Sequence, residues 1–77
     1  MIGQALIGLE GSLAQFAKTE QPVSVAAGQT IYQAAVSLGI PATRSFSILV
    51  NGQVVDSTYL LEDGDFARLI PQISGGL

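Results

Sequence analysis

The 77-residue chain has no cysteine and no histidine, and few of its residues carry charge: three are basic and six acidic. Each shortage excludes something. Without cysteine there is no disulfide framework and no thiol nucleophile. Without cysteine and histidine together there is no Cys/His zinc site, no histidine-based triad and no imidazole acid–base relay. The basic residues Lys18, Arg44 and Arg68 lie far apart in a chain of net charge −3. Nucleic-acid binders cluster Lys and Arg, so no nucleic-acid partner is expected. Long apolar runs are also missing. The opening MIGQALIGLEG is too short for a membrane helix, is broken by Gly3, Gly8 and Gly11, and lacks the basic start of a signal peptide. Ile2 excludes N-myristoylation. The expectation is therefore a cytoplasmic protein with no membrane partner. Glycine is plentiful, with nine residues, in a domain too small to rely on a large core and too poor in charge to cover its surface.

The pattern of what remains reads as alternating short elements. Ile2 to Leu9 is apolar and glycine-punctuated, which suits a buried strand, and Ser12 to Ala17 reads as a short helical turn with Leu13 and Phe16 inward. After the Gln21-Pro22 boundary, Val23-Ser24-Val25 alternates as a second strand, antiparallel to the first. Thr30 with Gln33 three residues on forms a capping box, and Ile31, Ala34, Ala35 and Leu38 share one helical face. Gly39 is placed to end that helix in the left-handed region, and Pro41 prevents its resumption. Phe46 to Val50 and Gln53 to Val55 flank Asn51-Gly52, a strong hairpin signal. Tyr59 to Leu61 crosses, Glu62-Asp63-Gly64-Asp65 turns, and Phe66 to Ile70 is the last strand, which Pro71 is expected to interrupt.

Two hairpin-like pairs around one helix leave the last strand needing a partner. Parallel pairing with the first strand gives an α+β, β-grasp (ubiquitin-like) fold: a mixed four- to five-stranded sheet crossed by one main helix. A ferredoxin-like alternative needs a second helix, which residues 56–65 do not supply. The expected organisation is a β-grasp domain over 1–71 and a flexible Gly-Gly tail over 72–77.

The stretch from Leu61 to Gly76 resembles the end of the ThiS/MoaD family of ubiquitin-like sulfur carriers, where a Leu-x-Asp-Gly-Asp turn feeds a hydrophobic last strand and a Gly-Gly tail. The Val50-Asn51-Gly52 hairpin and the capped helix after a second strand match as well, so the resemblance covers nearly the whole chain. Pro71 and Ile73-Ser74-Gly75-Gly76 are most similar to the small subunit of molybdopterin synthase. The resemblance implies a non-enzymatic sulfur carrier. Gly76 is adenylated by an E1-like adenylyltransferase, becomes a thiocarboxylate, and donates sulfur to the large subunit of molybdopterin synthase or an equivalent acceptor. No cofactor is bound by the carrier; ATP and a sulfur donor are used by the activating partner. The chemistry suits the residues. A carboxylate is a poor electrophile until adenylated, and Gly75 and Gly76, without Cβ atoms, fit a narrow channel as extended chain.

Among other residues, Asp63 and Asp65 read as a solvated turn, since no further ligands follow at calcium-loop spacing. Phe66, Arg68, Ile70, Pro71 and Ile73 are the candidates for docking a partner, Arg68 being equally readable as an ordinary exposed edge charge. Lys18 and Arg44 read as ordinary surface charges. Leu77 departs from the family, whose active form ends at the second glycine; either a peptidase partner removes it or it is foreign to the natural chain. Three functions stay open: a carrier for molybdopterin, or for thiamine or another thiolation pathway; a ubiquitin-like modifier joined through Gly76 to lysines; and an interaction module with an inert tail.

Overall fold

Strand order places the last strand of the chain at the centre of the sheet. In the computed structural model, which describes residues 3–18 and 20–72, the elements are β1 (Gln4–Leu9), a 3-10 turn (Gly11–Phe16), β2 (Val23–Ala26), α1 (Ile31–Leu38), β3 (Phe46–Val50), β4 (Gln53–Val55) and β5 (Phe66–Pro71). They form one mixed five-stranded sheet in the order β2-β1-β5-β3-β4. β5 runs parallel to β1, with Leu6 opposite Phe66 and Leu9 opposite Leu69, and antiparallel to β3, with Val50 opposite Ala67. This is the β-grasp arrangement, with one main helix, expected from the sequence. The tail reading, and with it Ile73, Gly75, Gly76 and Leu77, falls from residue 73 onward outside the described residues.

Local chemistry explains most elements. Thr30 Oγ1 accepts from the Gln33 N–H at 3.1 Å while the Gln33 side chain accepts from the Thr30 N–H at 2.9 Å, a complete capping box. Asn51 and Gly52 both adopt positive φ, 51° and 88°, as a two-residue primed turn demands. The helix buries Ile31, Ala34 and Ala35 against Ala5, Ile7 and Leu9 of β1, Ile48 and Val50 of β3, and Ala67 and Leu69 of β5, with Leu13 and Leu61 closing the ends. A two-turn helix does not persist alone, so its cap and its packing act together. Thr30→Ala is expected to lower stability by about 1 kcal/mol with an unchanged urea m-value. An unchanged midpoint would show the cap contributes nothing here.

One sequence expectation is corrected. Pro71 does not interrupt the last strand; it is the strand's final residue, opposite Phe46. The Gln72 N–H donates to the Ser45 carbonyl at 3.1 Å, so the even-numbered N–H groups of β5 face β3. The Pro71 nitrogen faces the other way, beyond the end of β1 at Leu9, where no ladder bond awaits a donor.

Candidate functional site

Alternation along β5 divides the sheet into two faces. Ala67, Leu69 and Pro71 point to the helix side, and Phe66, Arg68 and Ile70 to the open side. The register carries that open side across the sheet: Leu6 of β1 opposes Phe66, Leu49 of β3 opposes Arg68, Ser47 opposes Ile70, and Val54 of β4 opposes Leu49. Leu6, Phe66 and Val54 remain 40%, 43% and 79% exposed. The uncovered face is thus a mixed surface in which Leu6, Leu49, Val54, Phe66 and Ile70 stand among Gln4, Ser24, Ser47 and Glu10, with Arg68 at its middle. Apolar side chains grouped on an exposed face make it a candidate for partner docking.

Two details shape it. A Cβ on Gly8 would stand 3.3 Å from Phe66 Cε1 and 3.9 Å from Arg68 Cγ. The absence of a side chain at Gly8 lets the Phe66 ring lie low across β1. Arg68 pairs with Glu10, both about half exposed. Such a pair contributes about 0–1 kcal/mol, so its effect is to orient the guanidinium more than to hold the fold.

The predicted docking residues therefore separate. Phe66, Arg68 and Ile70 come together on the open face, Pro71 lies on the opposite side near Gly11, and Ile73 is outside the described residues, as are Gly75 and Gly76. Arg68 stands on the central strand and is no edge charge. Leu6, Leu49, Val54 and Glu10 belong to the same face and escaped the sequence reading. Only the inter-strand register joins them to β5.

The acidic turn is corrected too. Asp63 is exposed, and its Oδ1 accepts the Gln4 N–H at 3.0 Å, but Asp65 is buried. Asp65 Oδ2 accepts the Glu62 N–H at 2.9 Å and the Tyr59 hydroxyl at 2.9 Å, while Oδ1 accepts Asn51 Nδ2 at 3.0 Å. Asn51 Oδ1 in turn accepts the Phe66 N–H at 3.1 Å. Burial works to raise the Asp65 carboxyl, and the bonds from Glu62, Tyr59 and Asn51 outweigh it, leaving its pKa below the ordinary value. The same contact, with burial and the charges of Asp65 and Glu62 adding to it, holds the Tyr59 phenol above its ordinary value. This network ties the β3–β4 hairpin to the start of β5 and so sets the position of Phe66. Among the described residues, no group of three His, Cys, Asp or Glu comes together as metal ligands, and no helix is long and apolar enough to cross a membrane.

Comparison with known proteins bears on this geometry. The sequence matches the family model of the ThiS family over residues 7–76. No curated protein matches it. Among solved structures, it is similar to the solution structure of small archaeal modifier protein 1 from Methanosarcina acetivorans, with TM-score 0.68 and 23% identity over 99% of each chain. It is similar to the crystal structure of SAMP1 from Haloferax volcanii, with TM-score 0.63 and 25% identity over 96% of this chain and 100% of that one. A further Haloferax volcanii protein gives TM-score 0.70 at 17% identity, over 97% of this chain and 88% of the other.

Proposed function

The chain belongs to the ThiS family, and from that membership we propose a sulfur carrier that works in the cytoplasm and whose reacting group is its own terminus. Gly76, freed of Leu77, is adenylated by an E1-like adenylyltransferase using ATP. A sulfur donor then displaces AMP to leave a thiocarboxylate, whose sulfur attacks the substrate held by an acceptor enzyme. The observation that carries this reading is the extent of the family match, which runs through Gly75 and Gly76 rather than stopping at the end of β5. The open face around Phe66, Arg68 and Ile70 is the surface that holds the body while the tail reaches the active site. The Pro71 and Ile73-Ser74-Gly75-Gly76 pattern favours the large subunit of molybdopterin synthase as acceptor, ahead of a thiamine or tRNA-thiolation enzyme. The carrier itself supplies no catalytic side chain.

The test is direct. A chain ending at Gly76, incubated with an E1-like enzyme, ATP and a sulfur donor, is expected to rise in intact mass by the difference between sulfur and oxygen. An unchanged mass would sink the proposal. Co-purification then identifies the acceptor.

A second reading, protein modification through Gly76, is favoured by the likeness to structures named as small archaeal modifier proteins. Covalent, thiol-resistant adducts on lysines of other proteins would support it. Lys18 is the chain's single lysine. Self-linked chains through lysine would therefore carry one linkage only.

A further inference from the structure

The open face is not flat. Alternation along β1 puts Leu6, Gly8 and Glu10 on it, so a bare stretch of backbone stands between two side chains. On one side the register sets Gly8 opposite Arg68, with Phe66 diagonal to it. On the other, the pairing of Ile7 with Val23 brings Pro22 beside Gly8. Gln21 Oε1 accepts the Leu9 N–H at 2.6 Å, which ties the approach to Pro22 against β1 where the β1–β2 ladder ends. The result is a notch of ≈ 290 Å³, floored by Gly8 and bordered by Glu10, Gln21, Pro22, Phe66 and Arg68.

We propose that this notch receives one uncharged aromatic side chain of the protein that docks on the open face, an inference that rests on that face being the docking surface. The borders favour a flat occupant. A Cβ at Gly8 would stand 3.3 Å from Phe66 Cε1 and 3.5 Å from Cζ, so the rim of the Phe66 ring is turned to the floor. A second ring laid on Gly8 meets that rim with its face, the edge-to-face arrangement that aromatic pairs prefer and an aliphatic side chain does not offer. The charges favour a neutral occupant. Arg68 is paired with Glu10 at the border of the notch, so a charged side chain entering it finds no unpaired counter-charge and loses its own hydration. The face of a ring, by contrast, attracts a guanidinium without bringing a charge to desolvate. Gly8 is therefore a specificity-determining position, because a partner without a ring at this point leaves the notch to water. Two of this chain's own exposed large apolar residues are aromatic, Tyr32 on the helix and Phe66 at the notch itself. A second copy in the notch is thus a separate outcome of the test.

The test titrates the full chain with N-acetyl-tryptophanamide and, separately, with N-acetyl-leucinamide, reading the amide resonances of Gly8, Glu10 and Arg68. The aromatic amide is expected to shift them saturably, with half-saturation at about 1–10 mM for a lone side chain without a partner's framework. The leucine amide is expected to bind about fivefold more weakly. Gly8→Ala, whose methyl occupies the floor, and Arg68→Gln, which removes the cation, are each expected to weaken the aromatic amide several-fold. Equal affinity for the two amides, no saturable shift, or full affinity in either variant would overturn the proposal. Arg68→Gln, at an exposed side chain, decides alone if Gly8→Ala does not fold. Notch resonances that move with protein concentration in the absence of either amide would report a second copy seated there and would overturn it too. The titration involves neither the terminus nor adenylation, so its failure is distinct from a failure of the carrier reading.

Discussion

Asp65→Ala is expected to remove about 3 kcal/mol from a domain whose whole stability, at about 0.1 kcal/mol per residue, is about 8 kcal/mol. The carboxylate is buried and accepts from Glu62 N–H, Tyr59 hydroxyl and Asn51 Nδ2. Truncation leaves three donors in a space too small and too enclosed to pair them all with water, and that desolvation penalty is the larger part of the loss. Asp65→Asn keeps the shape and is expected to lose most of the same stability. An amide offers one accepting oxygen where the site presents donors on both sides, so its NH2 must face either the Glu62 N–H or the Asn51 amide nitrogen. Asn51 cannot turn over to accept it, because its oxygen already serves the Phe66 N–H. Urea midpoints check both variants, and an unshifted midpoint for Asp65→Ala would mean the network carries no stability.

The network also gives the domain a pH dependence of known sign. The folded-state pKa of Asp65 is depressed, so as pH falls the unfolded chain takes up the proton first. The contribution of Asp65 is therefore complete above its ordinary value of 3.8 and is lost as pH drops through that value toward the folded one. Asp56, whose pKa is lowered by the side-chain and backbone hydrogen bonds of Thr58, works in the same window. For that reason the informative curve is the difference between the unmodified chain and Asp65→Asn, which is expected to shrink below pH 3.8. Tyr59 acts at the other end. Its raised pKa makes its contribution complete below 10.0 and lost as pH rises through the folded value.

Asp65 marks where reading from sequence reaches its limit. The capping box of Thr30 and Gln33 and the Asn51-Gly52 turn were legible because every atom involved lies within four residues. The parallel pairing of first and last strands followed from the need of β5 for partners. Asp65 was read as part of a solvated turn because no further ligands follow it at calcium-loop spacing. The residues that bury and satisfy it, Tyr59 and Asn51, stand 6 and 14 positions away. Gly8 shows the same limit. Its closeness to the Phe66 ring is a diagonal contact that exists only in the Leu6–Phe66 register. The chemistry proposed for the terminus has another source: it follows from the resemblance of residues 61–76 to the ThiS/MoaD family, and Gly75 and Gly76 lie outside the described residues.

Phe66→Ala and Arg68→Glu are each expected to lower kcat/KM for activation by the E1-like enzyme by about 30-fold or more, the loss typical of a central interface residue worth about 2 kcal/mol. The effect belongs in KM. The reacting carboxyl is on the tail, and neither side chain takes part in forming the acyl-adenylate, so kcat at saturating carrier is expected to hold. Phe66 is 43% exposed and outside the buried core, so its truncation removes contact area on the open face more than core packing. Arg68→Glu changes the net charge from −3 to −5 and sets a second carboxylate beside Glu10. The fold tolerates this, because an exposed pair contributes about 0–1 kcal/mol. A partner whose surface is complementary to the cation does not. Gly8→Val provides the control for shape: its side chain lifts the Phe66 ring without removing it, and a similar rise in KM is expected with Arg68 intact. Pyrophosphate release at varied carrier concentration measures all three. Unchanged KM in all three variants would move the docking surface off the open face. A fall in kcat alone would mean that these residues act on the tail's placement and not on docking.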